Sequence, residues 1–275
     1  MSRRLARVLG GLVVLASAHA RSWRRANLRL LVAQRLHQRH RIETPHGPLV
    51  FLSTHAGALE APREFFTREP ETLAWIDGFA AGAVLWDIGA NLGIYSLYAG
   101  RRGDLDVLAF EPSPESYAAL CANIAENRLE RVRAYCIALG ERSGLGTLNM
   151  PQSHPGSVSN AFEQDTDMRG RVLAVERRQA ALGLAADDLI EHFGAAVPHH
   201  IKLDVDSTEV AILRGAACLL RHPTLLTVLV ENAVGDTPQN RAIDALLREA
   251  GFRAEGRGRG GSDETVNLLY RRLSA

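Results

Sequence analysis

From residue 83 onward, short apolar runs alternate with stretches whose apolar positions recur every three or four residues. Compact apolar runs bounded by glycine, proline or aspartate suit buried strands, and the longer period suits helices lying on a sheet. The pattern predicts strands over 83–88, 105–110, 132–137, 200–205, 225–230 and 265–270, with helices over 93–101, 114–128, near 185–193, 208–221 and 238–250. Strand and helix in turn are the mark of βαβ units, so the fold class is α/β, with a doubly wound and largely parallel sheet.

Upstream, Pro45, Gly47 and Pro48 break the pattern, and the apolar run 49–52 reads as a short strand. Glu69-Pro70-Glu71-Thr72 opens a helix through Trp75, Ile76 and Phe79, with proline in the first turn and carboxylates at its positive end. The chain therefore divides into an N-terminal extension, 1–64, and a main domain, 65–275. Residues 151–170, rich in proline, glycine, serine, asparagine and aspartate, read as a long loop of the kind that covers a site. Residues 256–261 read as a mobile hairpin connection; with no aromatic residues beside their arginines they do not suit nucleic acid.

Hydrophobic residues make up 46% of the chain, enough for a sizeable core, and the net charge of +1 argues against a general polyanion binder. That average hides an asymmetry. Residues 1–42 hold ten arginines and no carboxylate, which leaves the rest of the chain, by difference, at about −9. Arg3, Arg4 and Arg7 precede an apolar run, 8–18, that is too short to span a bilayer. The segment reads as an amphipathic helix that packs on the domain or touches anionic lipid, which keeps the chain cytoplasmic or peripheral at the inner membrane. Ala18-His19-Ala20 resembles a signal-peptidase site, so a secretory signal is the alternative. Cys121, Cys136 and Cys218 have spacings suited to neither a zinc cage nor a disulfide framework, and read as buried reduced thiols.

The chemistry begins at Asp87-Ile88-Gly89-Ala90-Asn91-Leu92-Gly93, where a strand gives way to a helix and small residues let a ligand approach the backbone. A dinucleotide fingerprint needs glycine at 89, 91 and 94; the residues there are Gly89, Asn91 and Ile94, so two of three positions fail. The next strand ends in Phe110-Glu111-Pro112, which puts a carboxylate beside the loop, able to accept both hydroxyls of a ribose. The run from Trp86 to Ser96, followed by Ala109-Phe110-Glu111-Pro112, resembles the FkbM family of methyltransferases. Ala138-Leu139-Gly140, the segment from Ile201 to Asp206, and Ile212-Leu213-Arg214-Gly215-Ala216 are similar to that family as well, so the likeness runs from about residue 65 to 232.

The resemblance implies a class I methyltransferase fold with a mostly parallel seven-stranded sheet, S-adenosylmethionine as methyl donor, and a hydroxyl of a sugar, lipid, polyketide or other small metabolite as acceptor. The donor-binding residues it implies are Asp87, Gly89, Ala90, Asn91, Gly93, Glu111, Pro112, Ala138 and Asp204. The chain departs from the family after Val205, where glutamate then glycine are usual and Asp206 and Ser207 stand instead. For the transfer step, Lys202 is the only lysine among thirty-one arginines, and alternation along a strand puts it on the same face as Asp204. Lys202, Asp204 and Glu209, in the first turn of the next helix, are the candidate catalytic residues, with Glu231 at the next strand end as a further substrate contact. His199 and His200 lack a companion ligand motif, so no metal is expected. Two other readings remain: a nicotinamide-dependent oxidoreductase on the same sheet, and a non-catalytic adaptor whose basic N-terminus binds lipid or an acidic partner.

Overall fold

The computed structural model describes residues 2–19, 21–36, 38–53 and 55–273. It divides into two compact units, Met1–Arg39 and His40–Ala275. In the first, helix α1 (Ser2–Ala16) is followed by α2 (Ser22–Arg35). Arg29 ties the two together, its Nε donating to Ser17 Oγ at 2.8 Å and its Nη2 to the Val14 carbonyl at 3.2 Å.

A pair of strands follows, β1 (Gln38–Thr44), whose first two residues close the first unit, and β2 (Gly47–Ser53), then the short helix α3 (Glu60–Arg63) and α4 (Pro70–Asp77). Next come β3 (Val84–Ile88), α5 (Ile94–Arg101), β4 (Asp106–Phe110), α6 (Pro114–Asn127) and β5 (Val132–Tyr135). After β6 (Ala138–Leu139), β7 (Gly144–Met150), β8 (Ala161–Phe162) and β9 (Arg177–Leu184), the α/β alternation resumes with α7 (Ala186–Glu191), β10 (His200–Leu203) and α8 (Glu209–Arg214). It closes with β11 (Thr227–Ala233), α9 (Pro238–Glu249), β12 (Phe252–Arg259) and β13 (Thr265–Arg272).

The main sheet has seven strands in the order β12-β13-β11-β10-β3-β4-β5, and β13 alone runs against its neighbours. This is the class I methyltransferase order, with the first strand of the motif at the centre and the strand order reversing beside it. Strand β3 is buried along its whole length, as a central parallel strand covered on both faces must be. One face packs Trp86, Ile88, Leu203 and Val230 against α8 and α9; the other packs Leu85 and Val107 against α4, α5 and β2. Asn123 and Asn127 of α6 accept from the backbone N–H groups of Leu52 and Val50, which fixes β2 on that second layer.

Three predicted features are corrected. Residues 256–261 are not a loop throughout: Phe252–Arg259 is the edge strand β12, with a bulge between Ala254 and Gly256. Its arginines and glycines face solvent, so no apolar alternation marks it, and charge on an edge strand discourages pairing with other chains. Predicted helix 208–221 stops at Arg214, and a 3-10 turn forms at Leu219–Arg221. A Cβ at Gly215 would lie 2.1 Å from the Gly140 carbonyl oxygen, so this close approach of two backbones ends the helix. The thiols are free, but Cys136 and Cys218 are exposed and Cys121 half-buried, because Cys136 lies just beyond β5 and Cys218 in the turn after α8.

A second sheet, β6-β9-β7-β8, has no counterpart in the predicted elements. Its strands carry glycines where a strand signal would carry branched residues. Gly146 and Gly183 lie under the ring of Phe162, where a Cβ on either would approach it to about 2.5 Å.

Candidate functional site

The register of the main sheet builds the site. Ile88 pairs with both Leu203 and Phe110, so Gly89, Asp204 and Glu111 follow the ends of three adjacent parallel strands at one level. Ligands bind α/β sheets at such carboxyl edges, next to the point where the strand order reverses. A cavity of about 560 Å³ opens there. Its wall includes Gly89, Ala90, Asn91, Glu111, Pro112 and Ala138 from the predicted donor set, and Lys202, Asp204 and Glu231 from the predicted transfer set.

The turn after β3 is left-handed at Gly89 (φ +87°), Asn91 (φ +50°) and Gly93 (φ +87°). Gly89 is required by space as well: a Cβ there would lie 1.8 Å from the Asp204 carbonyl oxygen. Asn91 is one of the few residue types that tolerate such angles. Its backbone N–H donates to Glu111 Oε2 at 2.8 Å, and Ser113 N–H donates to Oε1 at 2.8 Å. Each oxygen of Glu111 keeps a further lone pair. Burial, partly offset by these two N–H donors, pushes the Glu111 carboxyl up to about 7.

Asp87 and Gly93 are not on the cavity wall. Asp87 is buried beneath the turn, where it accepts from Ser96 Oγ at 2.5 Å, and Gly93 caps the N-terminus of α5. Glu209 is absent from the wall too: it is fully buried and accepts from Gln239 Nε2 at 2.5 Å. Burial pushes the Glu209 carboxyl up to about 8.

Lys202 is only 2% exposed, and its Nζ donates to Asp204 Oδ2 at 2.5 Å while lying 4.5 Å from the centroid of the Tyr95 ring. Around this pair the sheet gathers carboxylates that sequence proximity does not suggest. Oxygens of Glu69, Asp204 and Glu231 lie within 4.8 Å of one another. Glu69 reaches in from the start of α4, accepting from Thr72 Oγ1 at 2.9 Å and from Asn267 Nδ2 at 2.7 Å. Glu231 accepts from the Gly261 N–H and from Thr265 Oγ1.

Burial alone would lower the Lys202 ammonium's proton affinity, but Asp204, Glu69 and Asp87 outweigh it and hold it above the ordinary lysine range. Burial would likewise raise Asp204, but Lys202 outweighs it and the carboxyl sits below its ordinary value. Glu231 is pushed up to about 9 by burial, with the Asp204 charge adding to it. The Lys202 and Asp204 charges thus favour one another, while burial favours the neutral form of Glu231 and of Glu69.

The 151–170 segment arches over this edge. Ser157 accepts through its carbonyl from Asn91 Nδ2 at 3.2 Å, and the Ser159 N–H donates to Asp206 Oδ2 at 2.6 Å. Asp206 and Ser207 follow β10 with φ of +61° and +153°. The second angle is one that glycine adopts freely and a residue with a Cβ does not, and the Ser207 hydroxyl is buried with no partner. Ser207→Gly is therefore expected to stabilise the fold by about 1–2 kcal/mol, seen as a higher urea midpoint at unchanged slope. A lower midpoint would mean that the hydroxyl has a partner.

His200 is stacked on Phe79 with ring centroids 3.7 Å apart and bonds Thr227 Oγ1 at 2.7 Å, and burial lowers it to about 3. His199 Nδ1 accepts from the Val84 N–H. Both histidines are thus taken up in packing. Glu69, Tyr95 and Asp206 were missed by sequence reasoning. Tyr95 carried a signal as part of the Trp86–Ser96 run and Asp206 as the end of the Ile201–Asp206 run, whereas Glu69 read only as a residue at the start of a helix.

A family model described as the methyltransferase FkbM domain matches residues 87–254. The chain is 32% identical over 193 residues to methyltransferase sdnD of Sordaria araneosa, covering 60% of this chain and 72% of that one. It is 27% identical over 172 residues to hexuronic acid methyltransferase AglP of Haloferax volcanii (62% and 64% covered). It is 26% identical over 239 residues to 31-O-demethyl-FK506 methyltransferase FkbM of Streptomyces tacrolimicus (77% and 88% covered).

Proposed function

The chain belongs to the FkbM methyltransferase family and is an S-adenosylmethionine-dependent methyltransferase, and from that premise we propose that it methylates a hydroxyl of a small metabolite, glycan or lipid. One observation carries the reading: the glycine turn with Glu111 and the Lys202–Asp204 pair share one cavity at one edge of the sheet. Relatives named for a hexuronic acid and for a demethylated FK506 agree with an oxygen-bearing acceptor.

The residues suit the donor. Glu111 has lone pairs left for the two ribose hydroxyls, Asn91 Oδ1 is buried on the wall without a partner, and Phe110, Pro112 and Ala138 give an apolar surface for a flat base. Gly89 and Ala90 supply the close backbone approach, Gly93 caps α5 behind them, and Asp87 holds the turn through Ser96. Held by Gly89, Ala90, Asn91 and Glu111, the donor would supply a sulfonium methyl group open to in-line displacement by an acceptor oxygen, with the demethylated thioether as leaving group.

Asp204, kept ionised by Lys202, accepts the proton of the attacking hydroxyl. Lys202 is too strongly held as an ammonium to serve as the base; it orients Asp204 and offsets the charge of the cluster. Glu209, off the cavity wall, is a positioning residue that anchors α8 to Gln239 beneath the Asp206 turn.

The first test is calorimetric titration with S-adenosylmethionine and its demethylated product. Glu111→Ala is expected to weaken binding about 100-fold, since two hydrogen bonds to a charged group are lost. Because the ionised carboxylate accepts the diol and its proton is lost near pH 7, wild-type affinity should be roughly tenfold weaker at pH 6 than at pH 8. A Glu111→Ala protein that titrates like the wild type would overturn the assignment of the ribose site. Comparison of metabolites from cells with and without the protein, for a mass difference of one methylene, identifies the acceptor.

A further inference from the structure

We propose that α1 and α2 form a docking surface for an anionic membrane, holding the protein on lipid through apolar stripes flanked by arginine. The proposal does not depend on the identity of the methyl acceptor. Along α1, Leu5, Val8, Leu9, Leu12 and Leu15 recur at helical steps and, at 100° per residue, fall within an arc of roughly 120°. Each is more than half exposed. On α2, Trp23 and Leu30 stand seven residues apart on one face and are 67% and 63% exposed. Within the unit Met1–Arg39, two consecutive helices tied together through Arg29 each leave an apolar stripe exposed, with no partner for it among the described residues of that unit.

Charge decides what that partner is. Residues 1–42 carry ten arginines and no carboxylate, and Arg7, Arg21 and Arg24 are exposed. A second copy of the chain would set these arginines against themselves. Nucleic acid would satisfy the arginines and leave the leucines wet. An anionic bilayer meets both: guanidinium groups lie among the headgroups while leucine and tryptophan enter the acyl boundary.

The helices suit lying on the membrane and not crossing it. The 15 residues of α1 reach about 22 Å against a hydrocarbon core of about 30 Å. Among the described residues no helix is long and apolar enough to span.

The test is sedimentation of the full chain with vesicles of phosphatidylcholine alone or of equal parts phosphatidylcholine and phosphatidylglycerol. Binding to the mixed vesicles is expected to be about tenfold tighter or more, to weaken at high salt, and to shift tryptophan emission to the blue in a way that Trp23→Phe abolishes. Leu9→Glu/Leu12→Glu should cut binding by about tenfold or more, and Leu9→Ala/Leu12→Ala by less, while donor titration stays as in the wild type and certifies the fold. The proposal is overturned if the wild type ignores both vesicles, or if the double glutamate variant binds as well as the wild type. It is overturned too if, without lipid, the wild type is a dimer that the double glutamate variant dissolves, for then a second copy covers the stripe.

Discussion

Lys202→Met is expected to lower stability at pH 8 by about 3–5 kcal/mol, the cost of removing one partner from a buried charge cluster. The ammonium is the compensating charge for Asp204, Glu69 and Asp87, and no other lysine exists in the chain. Without it these carboxyls have folded pKa values above their unfolded ones. Groups shifted in that direction favour folding below the unfolded pKa and oppose it progressively as pH rises through the folded value. The deficit should therefore shrink as pH falls from 8 towards 5. Urea denaturation of both proteins at the two pH values measures it, and a deficit under about 1 kcal/mol at pH 8 would show that the cluster is balanced by something other than Lys202. Lys202→Arg should not rescue fully, because the space between Asp204 and the Tyr95 ring is shaped for a compact ammonium.

Asp204→Asn separates catalysis from folding. If Asp204 takes the proton of the attacking hydroxyl, its amide should reduce kcat by about 10²–10⁴, the range of a positioned general base, with donor affinity nearly unchanged. Stability should fall much less than in Lys202→Met. Loss of the Asp204 charge removes one of the two main causes that keep Glu231 protonated, so Glu231 ionises nearer to neutrality and takes over part of the pairing with Lys202. The measurement is labelled methyl transfer at saturating donor beside a denaturation curve. A variant that keeps its kcat would remove Asp204 from the proton path, and one that unfolds with the activity would make its role structural.

The strands and helices flanking the site were legible because their apolar positions keep one period over several turns. The strand ends carrying Gly89, Glu111 and Asp204 follow from that pattern, and the register puts them on one edge. The elements that escaped notice are those in which packing overrides the local signal. Strands β7 and β9 carry glycines because the ring of Phe162 needs the room, and β12 is an edge strand whose side chains, after the buried Phe252, face solvent. Helix α8 ends early because Gly215 meets the backbone of Gly140.

Local order in the chain is enough to name the fold class, the glycine turn and the pairing of Lys202 with Asp204, since alternation along one strand already aligns those two side chains. It is not enough to bring Glu69 and Glu231 to them. Glu69 caps α4 and Glu231 belongs to β11, and they meet at the end of β10 only when the sheet has closed its order. Glu209 turns to Gln239 of α9 for the same reason: the partner of a buried carboxylate is whatever polar group the neighbouring layer offers, and layers are joined by folding and not by sequence spacing.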